Sequence, residues 1–209
     1  MYDRQTDTLW HQLWGTPAFG PLVGSGLKLE RLPVTLTTWE AWYAEHPDTK
    51  VMSFDTGFTR DYSVGAAYAD YFDSPDTMFP VWRRSNLLPT KSWVFTQLIA
   101  GQPKAYPLSV LKDELVVNDT LAGQSLVVIH EDGGHSARAY DRGKHNFTFA
   151  AENTTQSLLD ETGNKWQVTE NALVNEQGEE LTRLPGHMAY WFGWFSFYPR
   201  TEVYGFEEE

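Results

Sequence analysis

Three histidines and an aspartate that lie close together in the sequence are the residues best suited to bind a metal ion. They are His130, Asp132, His135 and His145. Neutral imidazole nitrogens together with a carboxylate suit divalent transition metals. Their spacing matches no established metal motif, however, and the sequence from residue 131 to 135 also has the ordinary composition of an exposed turn. A metal site and a solvated turn are therefore the two interpretations of this cluster.

A second polar group lies in a segment rich in aspartate and aromatic residues, from Asp55 to Asp76. Its densest part contains Asp55, Arg60, Asp61 and Tyr62. Carboxylates interleaved with aromatic rings can bind a small polar ligand such as a sugar, because the rings stack and the oxygens accept hydrogen bonds. The order of acidic residues that an EF-hand requires is absent. Solvated loop carboxylates are the alternative interpretation.

The sequence carries none of the common catalytic motifs. It has no Gly-x-Ser-x-Gly elbow, no His-Glu-x-x-His pair and no glycine-rich phosphate loop. Asp61 beside Arg60, or His187, are the remaining acid–base candidates, and a hydrolase with paired carboxylates needs no fixed spacing of its acids. For His187 the alternative is a partly buried structural histidine at the start of a helix.

Composition excludes several classes of site and partner. The chain has no cysteine, so disulfides and thiolate metal sites are excluded. Its net charge of −12 disfavours binding to the phosphate backbone, and we predict no nucleic-acid partner. No apolar run approaches the roughly 18 residues of a membrane-spanning helix, so we predict no transmembrane segment. Nine tryptophans indicate a packed globule.

An internal repeat defines the elements that must position these residues. Residues 31–51 and 183–203 align without gaps at a constant offset of 152, and eight of the 21 paired positions are identical. Average residue usage gives about one or two identities by chance, so the similarity indicates a duplication. The identical pairs are Arg31/Arg183, Leu32/Leu184, Pro33/Pro185, Trp39/Trp191, Trp42/Trp194, Pro47/Pro199, Thr49/Thr201 and Val51/Val203.

Each copy predicts a short helix with one aromatic face. Residues 39, 42, 43 and 46 follow helical spacing, as do their counterparts 191, 194, 195 and 198. Pro47 and Pro199 end the two helices, and Thr37 or Thr38 can cap the first. We expect both aromatic faces to be buried against a sheet, since such faces belong to the core more often than to ligand sites.

Short strands are predicted for much of the remaining chain. Single strands are predicted over Leu9–Trp14, Leu27–Leu32, Lys50–Phe54 and Glu202–Phe206. Hairpins are predicted for Trp93–Ala100 with Lys104–Pro107, Glu114–Asn118 with Gln124–Ile129, and Ser136–Asp141 with His145–Ala150, with one helical turn over Ser109–Asp113.

The predicted fold is therefore mainly β (β-rich α+β). It consists of two related repeat halves, each with short antiparallel strands packed by one short tryptophan-rich helix. We expect residues 1–54 to form an incomplete first repeat, residues 55–92 a connector, and residues 93–209 a complete second repeat, all within one compact unit.

Several segments along the chain carry a resemblance to a known family. They are Met1-Tyr-Asp-Arg4 with Leu9-Trp10, Gly20-Pro-Leu22, Leu32-Pro33 with Trp39 and Trp42, His46-Pro-Asp-Thr49, Asp55-Thr-Gly57, Arg60-Asp-Tyr62, Lys104-Ala-Tyr-Pro-Leu108, Val117-Asn-Asp-Thr120, Ala139-Tyr-Asp-Arg142 and Leu184-Pro185. Over essentially its whole length the chain resembles the DUF3179 family, a bacterial and archaeal group whose name carries no established activity.

The resemblance implies that this chain lacks part of its first repeat. Family members usually carry, ahead of the position of Met1, a segment like residues 95–157, with a Cys-Pro-Leu-Cys-Gly motif in the place of His130–His135. Met1 then corresponds to an internal position of the family. An unfinished repeat exposes sheet edges and apolar surface, so we predict a homodimer or a higher homo-oligomer.

These observations lead to two functional hypotheses. The first is a non-enzymatic binding or assembly module of a bacterial protein; the family resemblance implies an extracytoplasmic location, periplasmic or secreted. Its ligand, a small polar molecule, would contact the loops of residues 55–76 and 130–145, because loops on rigid scaffolds commonly carry function. The second is a metal-dependent or carboxylate-based enzyme that uses the same loops.

Overall fold

The structure is a computed structural model that describes residues 1–63, 65–130, 135–150 and 156–206. In these residues the chain forms four short helices: α1 (Trp39–Glu45), α2 (Ala69–Asp73), α3 (Leu108–Glu114) and α4 (Trp191–Phe197). It also forms fifteen strands, which are arranged in three sheets. The predicted mainly β fold is confirmed.

The first sheet is small and lies at the N-terminus. Its strands pair antiparallel in the order β1 (Tyr2–Asp3), β2 (Thr8–Trp10) and β3 (Pro17–Phe19). From residue 20 to 92, the described residues form α1 and α2 but no strand. The strands predicted over Leu27–Leu32 and Lys50–Phe54 are therefore wrong. Apolar alternation favours a strand only where a neighbouring strand is present to pair with it.

The second sheet has four strands in the order β14 (Gly186–Tyr190), β4 (Trp93–Ile99), β5 (Gln102–Pro107) and β15 (Glu202–Val203). Strands β4 and β5 form the hairpin predicted over residues 93–107. The turn between them places Ala100 and Gly101 at positive φ, as a two-residue hairpin turn requires. Strand β15 joins the edge in parallel and is shorter than the predicted strand Glu202–Phe206.

The third sheet has eight strands. They follow the order β6 (Val116–Leu121), β7 (Gln124–His130), β8 (Ala137–Asp141), β13 (Glu180–Leu184), β12 (Ala172–Asn175), β11 (Lys165–Val168), β10 (Ser157–Leu159) and β9 (Thr148–Phe149). The two ends of the sheet lie close together. The side chain of Asn118 on β6 donates a hydrogen bond to the backbone carbonyl of Phe147 and accepts one from its backbone N–H, at 2.8 Å in each case. The sheet is therefore curved almost into a barrel.

One predicted hairpin of this sheet is wrong. Residues 136–141 and 145–150 do not pair with each other: β8 pairs with β7 and β13, and β9 pairs with β10. The hairpin of β6 with β7 does form, and α3 confirms the helical turn predicted over Ser109–Asp113.

Alternation along strand β7 explains how the core is divided. Leu126 and Val128 face one apolar cluster, shared with Phe95 and Tyr106 of the four-stranded sheet. Val127 and Ile129 face the interior of the curved sheet. A third cluster on the other face of the four-stranded sheet joins Val94 and Ala105 to α4. Almost all of this core belongs to residues 93–206.

Candidate functional site

Helix α1 presents four aromatic side chains to one side, and we name Trp39, Trp42, Tyr43 and His46 the α1 aromatic face. The helix begins at a capping threonine, since the Thr38 hydroxyl accepts a hydrogen bond from the backbone N–H of Ala41 at 3.2 Å. Trp39 stacks with Tyr43, and Trp42 packs against His46. No residue of α1 is buried; Trp39 is 51% exposed and Trp42 37%.

Helix α4 shares the C-terminal structure of α1, although no side chain caps its start at Tyr190. The indole N–H of Trp42 donates to the Thr49 hydroxyl at 3.0 Å, and the indole of Trp194 donates to Thr201 at 2.8 Å. The residue after each helix has nearly the same backbone angles, φ −130° and ψ 67° at His46, and φ −127° and ψ 70° at Tyr198. Both predicted helices are confirmed.

The surroundings of the two helices differ completely. Trp191 and Trp194 are each 1% exposed, because α4 packs on the four-stranded sheet against Val94 and Ala105, with Leu88 and Val203 at its edges. The expectation that a sheet buries both aromatic faces therefore holds for α4 and is wrong for α1. Helical spacing shows that a face is apolar but carries no information about what covers it.

Exposed apolar residues extend well beyond α1. Of the 26 large apolar side chains that are exposed in the described residues, 25 lie between Met1 and Leu87, and the other is Phe206. Single exposed apolar residues are ordinary, whereas large exposed apolar areas commonly mark sites of interaction with other proteins. This segment is therefore the strongest candidate for a surface that contacts another protein.

The predicted ligand residues of the connector lie in exposed loop structure. Asp61 accepts hydrogen bonds from the hydroxyl and the backbone N–H of Ser63, and these bonds lower the pKa of its carboxyl group. The Tyr62 hydroxyl lies 2.7 Å from that of Thr56. Asp55 and Arg60 are exposed. These contacts are local, and the ligand site predicted here stays a prediction.

The predicted metal ligands lie in separate surroundings. His130 is buried and its Nδ1 lies 2.7 Å from the carbonyl oxygen of Ser136, whereas His135 is exposed and packs on the ring of Trp93. Asp132 lies outside the described residues. In the parts of the chain that the structure describes, no group of three histidine or acidic side chains is placed to hold a metal ion. The metal site stays a prediction.

His145, the fourth predicted ligand, packs against Trp166 beside a buried carboxylate. Its Nδ1 lies 3.7 Å from Asp160 Oδ2. Burial raises the pKa of Asp160, but hydrogen bonds from Thr162, Trp166 and Asn164 outweigh it and hold that pKa well below its usual value. Asp160 is thus a charged acceptor that organises the turn before β11.

A comparison with protein families shows which family the chain belongs to. A family model described as protein of unknown function (DUF3179) matches residues 1–201. The chain belongs to this family. Comparisons with curated proteins and with solved structures gave no match. Membership of DUF3179 names no activity, so a functional conclusion for this member depends on its own geometry.

The described helices also bear on the membrane prediction. None of them is long and apolar enough to cross a bilayer.

Two features of the structure were missed at the level of sequence. The first is the bare α1 aromatic face, which the repeat concealed because the same tryptophans occur in both copies. The second concerns His187, which lies in the middle of strand β14 and not at the start of a helix. The alternation Gly186, His187, Met188 in front of a helix is the signal that could have indicated a strand there.

Proposed function

We propose that this protein is a non-enzymatic assembly module, in which a second copy of the chain covers the α1 aromatic face. The observation that supports this proposal is the pair of matched helices. α4 shows that the motif is stable with its two tryptophans buried under a sheet, and α1 offers the same face uncovered. Covering tryptophan and tyrosine side chains is the largest apolar gain available to an interface of this kind.

The distribution of charge favours a second copy as the partner. Residues 1–92 carry eleven acidic and eight basic side chains, a net charge of −3, whereas residues 93–209 carry seventeen and eight, a net charge of −9. Two copies that meet through residues 1–92 keep their strongly acidic parts apart, which minimises repulsion. Closed twofold symmetry, the commonest arrangement of homo-oligomers, places the same patch of each copy in contact.

A bacterial, extracytoplasmic setting and the lack of a nucleic-acid partner belong to the same proposal. The setting is what the resemblance to the DUF3179 family implies. The acidic charge supports the second point, because a surface of net charge −12 repels phosphate backbones. Fractionation of the native host tests the location directly, and recovery of the protein in the cytoplasm would contradict it.

Sedimentation velocity over a range of micromolar concentrations tests the association. We expect the wild-type protein to form a dimer or a larger assembly and the double variant Trp39→Ala/Trp42→Ala to dissociate. Central tryptophans commonly contribute about 2 kcal/mol or more each to an interface, so removing two of them should raise the dissociation constant by roughly a thousandfold or more.

Phe206→Ala is the matched control, since Phe206 is an exposed aromatic residue, at 38%, that lies outside residues 1–92. It should associate like the wild type, and circular dichroism should show that all three proteins are folded. A wild-type protein that stays monomeric throughout the concentration range, or a double variant that associates unchanged, would contradict the proposal.

A further inference from the structure

A cleft of about 370 Å³ lies between the N-terminal segment and the four-stranded sheet. Its lining includes Arg31 and Leu32 from the first copy of the repeat, Thr96 from β4, His187 and Met188 from β14, and Trp194 from α4. Ligand-binding clefts have volumes of this order, with mostly apolar walls and a few polar groups.

Arg31 is held at the wall of this cleft by two neutral acceptors. Its Nη2 donates to the carbonyl oxygen of Leu13 at 2.7 Å and to the hydroxyl of Tyr198 at 2.6 Å. Among the residues that the structure describes, no carboxylate forms an ion pair with this guanidinium. The cleft therefore contains a positive charge whose hydrogen-bond partners carry no negative charge.

Arg183, the counterpart of Arg31 in the second copy, has a different environment. Its Nη1 donates to the backbone carbonyl of Glu170 at 2.8 Å and also pairs with the carboxylate of that residue. Its Nη2 donates to the Thr35 hydroxyl at 2.6 Å. Arg183 thus has within the protein the negative partner that Arg31 lacks.

The carbonyl acceptors of the two arginines occupy similar positions. Leu13 follows Trp10 by three residues, and Glu170 follows Trp166 by four. In the first copy the residue whose backbone carbonyl accepts from the arginine is therefore a leucine, which has no carboxylate. The two arginines share their backbone contact and differ in the carboxylate.

The two copies also contact each other reciprocally. Val34 and Gly186 are equivalent positions of the repeat, and the backbone N–H of Val34 donates to the carbonyl of Gly186 at 3.2 Å. Thr35 and His187 are equivalent positions as well. The Thr35 hydroxyl of the first copy accepts a hydrogen bond from Arg183 of the second, and His187 of the second copy lines the same cleft as Arg31 of the first. The cleft is therefore the counterpart of the Arg183–Glu170 site.

We propose that this cleft binds a small monocarboxylate with an apolar tail, whose carboxylate pairs with Arg31 as Glu170 pairs with Arg183. Nη2 uses both of its hydrogens on Leu13 and Tyr198, so Nη1 and Nε are the donors that remain for a carboxylate, and a hydrogen bond between two charged groups is strong. The tail lies against Leu98, Met188 and the indole of Trp194. Glu30 also lines the cleft, and its charge disfavours a ligand with a second carboxylate.

His187 supplies a neutral polar group beside Arg31. Burial lowers the pKa of its imidazole first, and the positive charge of Arg31 lowers it further. Thr96 Oγ1 lies 3.4 Å from both ring nitrogens and donates to the backbone carbonyl of His187. A neutral imidazole can hydrogen-bond to the ligand without adding a second positive charge.

Isothermal titration with acetate, butanoate and hexanoate at constant ionic strength tests the ligand class. We expect hexanoate to bind most tightly of the three, because the affinity should rise by up to roughly fourfold for each methylene that is buried. Inorganic phosphate, which lacks the tail, and 1-hexanol, which lacks the charge, should bind at least tenfold more weakly. Phosphate or hexanol binding as tightly as hexanoate would overturn the proposal, and so would no measurable binding of hexanoate.

Two variants test the position of the site. Arg31→Met should weaken hexanoate binding by tenfold or more, whereas Arg200→Met, which removes the same charge from an exposed position after α4, should bind like the wild type. Because Arg31 also fixes the N-terminal segment, Val34→Trp provides an independent variant: Val34 lines the cleft and is 55% exposed, so a larger side chain narrows the cleft and leaves Arg31 intact. Unchanged binding in both Arg31→Met and Val34→Trp would overturn the assignment, as would an equal loss in Arg200→Met.

Discussion

Helices α1 and α4 have the same length, the same spacing of aromatic residues and the same hydrogen bond from an indole to a threonine seven residues later. One has both tryptophans buried under a sheet, and the other has none of its residues buried. Local geometry in this protein therefore follows from about eleven consecutive residues. Burial depends on strands that lie far away in the chain, since α4 packs on β4 and β5.

The same contrast applies to the arginines of the repeat. Arg183 has a carboxylate partner in Glu170, whereas Arg31 has two neutral acceptors and faces a cleft. In both comparisons the residues of the segment 183–203 have their partners inside the chain, whereas their matches in the segment 31–51 lack the corresponding contact. Two segments of similar sequence can thus share a local shape and differ in what covers them.

Deleting one indole from each helix should give the largest difference between α1 and α4 in the free energy of unfolding. Trp191→Ala removes a side chain that is 1% exposed, so we expect the free energy of unfolding to fall by about 3–5 kcal/mol. Trp39→Ala removes a half-exposed indole, and within the monomer it should cost less than about 1 kcal/mol. Urea denaturation at a concentration low enough to populate monomers measures both.

The comparison between the helices would fail if the two substitutions cost the same. A large loss in Trp39→Ala would mean that α1 packs against the rest of its own chain. The proposed association surface would then be part of the protein core.

The sequence predicted those elements whose determinants are local. Helices α1 and α4 followed from aromatic spacing and from the following prolines, and the hairpin of β4 with β5 followed from two apolar runs around Gly101. The hairpin predicted for residues 136–150 failed because β8 pairs with β13, about forty residues later. Pairing between distant strands depends on tertiary packing, which a single sequence does not show.

The candidate sites were harder to predict for the same reason. Asp61 and Tyr62 were predicted as ligand residues because they are polar and close in sequence; their contacts are local, and the ligand site there stays a prediction. Arg31 and His187 are 156 positions apart, and only the contact between the two copies brings them to one cleft. The sequence alignment showed that Arg31 and Arg183 are equivalent positions. Only the structure shows that Arg183 pairs with the carboxylate of Glu170, whereas the hydrogen-bond acceptors of Arg31 are neutral.

A smaller difference should follow from removing the hydroxyl that accepts each indole hydrogen bond. In Thr201→Val the buried N–H of Trp194 loses its acceptor, and an unpaired buried donor costs about 1–3 kcal/mol. In Thr49→Val, water can replace the hydroxyl beside the exposed Trp42, so the change should stay within about 0.5 kcal/mol. Paired denaturation curves measure the difference, and equal losses would show that water reaches both indoles alike.

The smallest effect should appear in the dependence of stability on pH. Burial, and then the charge of Arg31, lower the pKa of His187 below its usual value of 6.5. Between that value and the lowered pKa, the unfolded chain binds a proton that the folded protein does not, so the contribution of His187 to stability falls as the pH drops through this window. His187→Gln should remove this part of the slope.

Denaturation curves of the wild type and of His187→Gln, at several values between about pH 7.5 and pH 5.5, measure the effect. Within this range the slope of the free energy of unfolding against pH should differ between the two proteins. The strongly hydrogen-bonded Asp160 contributes to the slope of both proteins only at much lower pH. A wild-type slope equal to that of His187→Gln would mean that the imidazole stays as accessible to water and protons as in the unfolded chain. His187 would then be neither buried nor influenced by the charge of Arg31. The cleft would no longer differ in charge from the site where Glu170 neutralises Arg183.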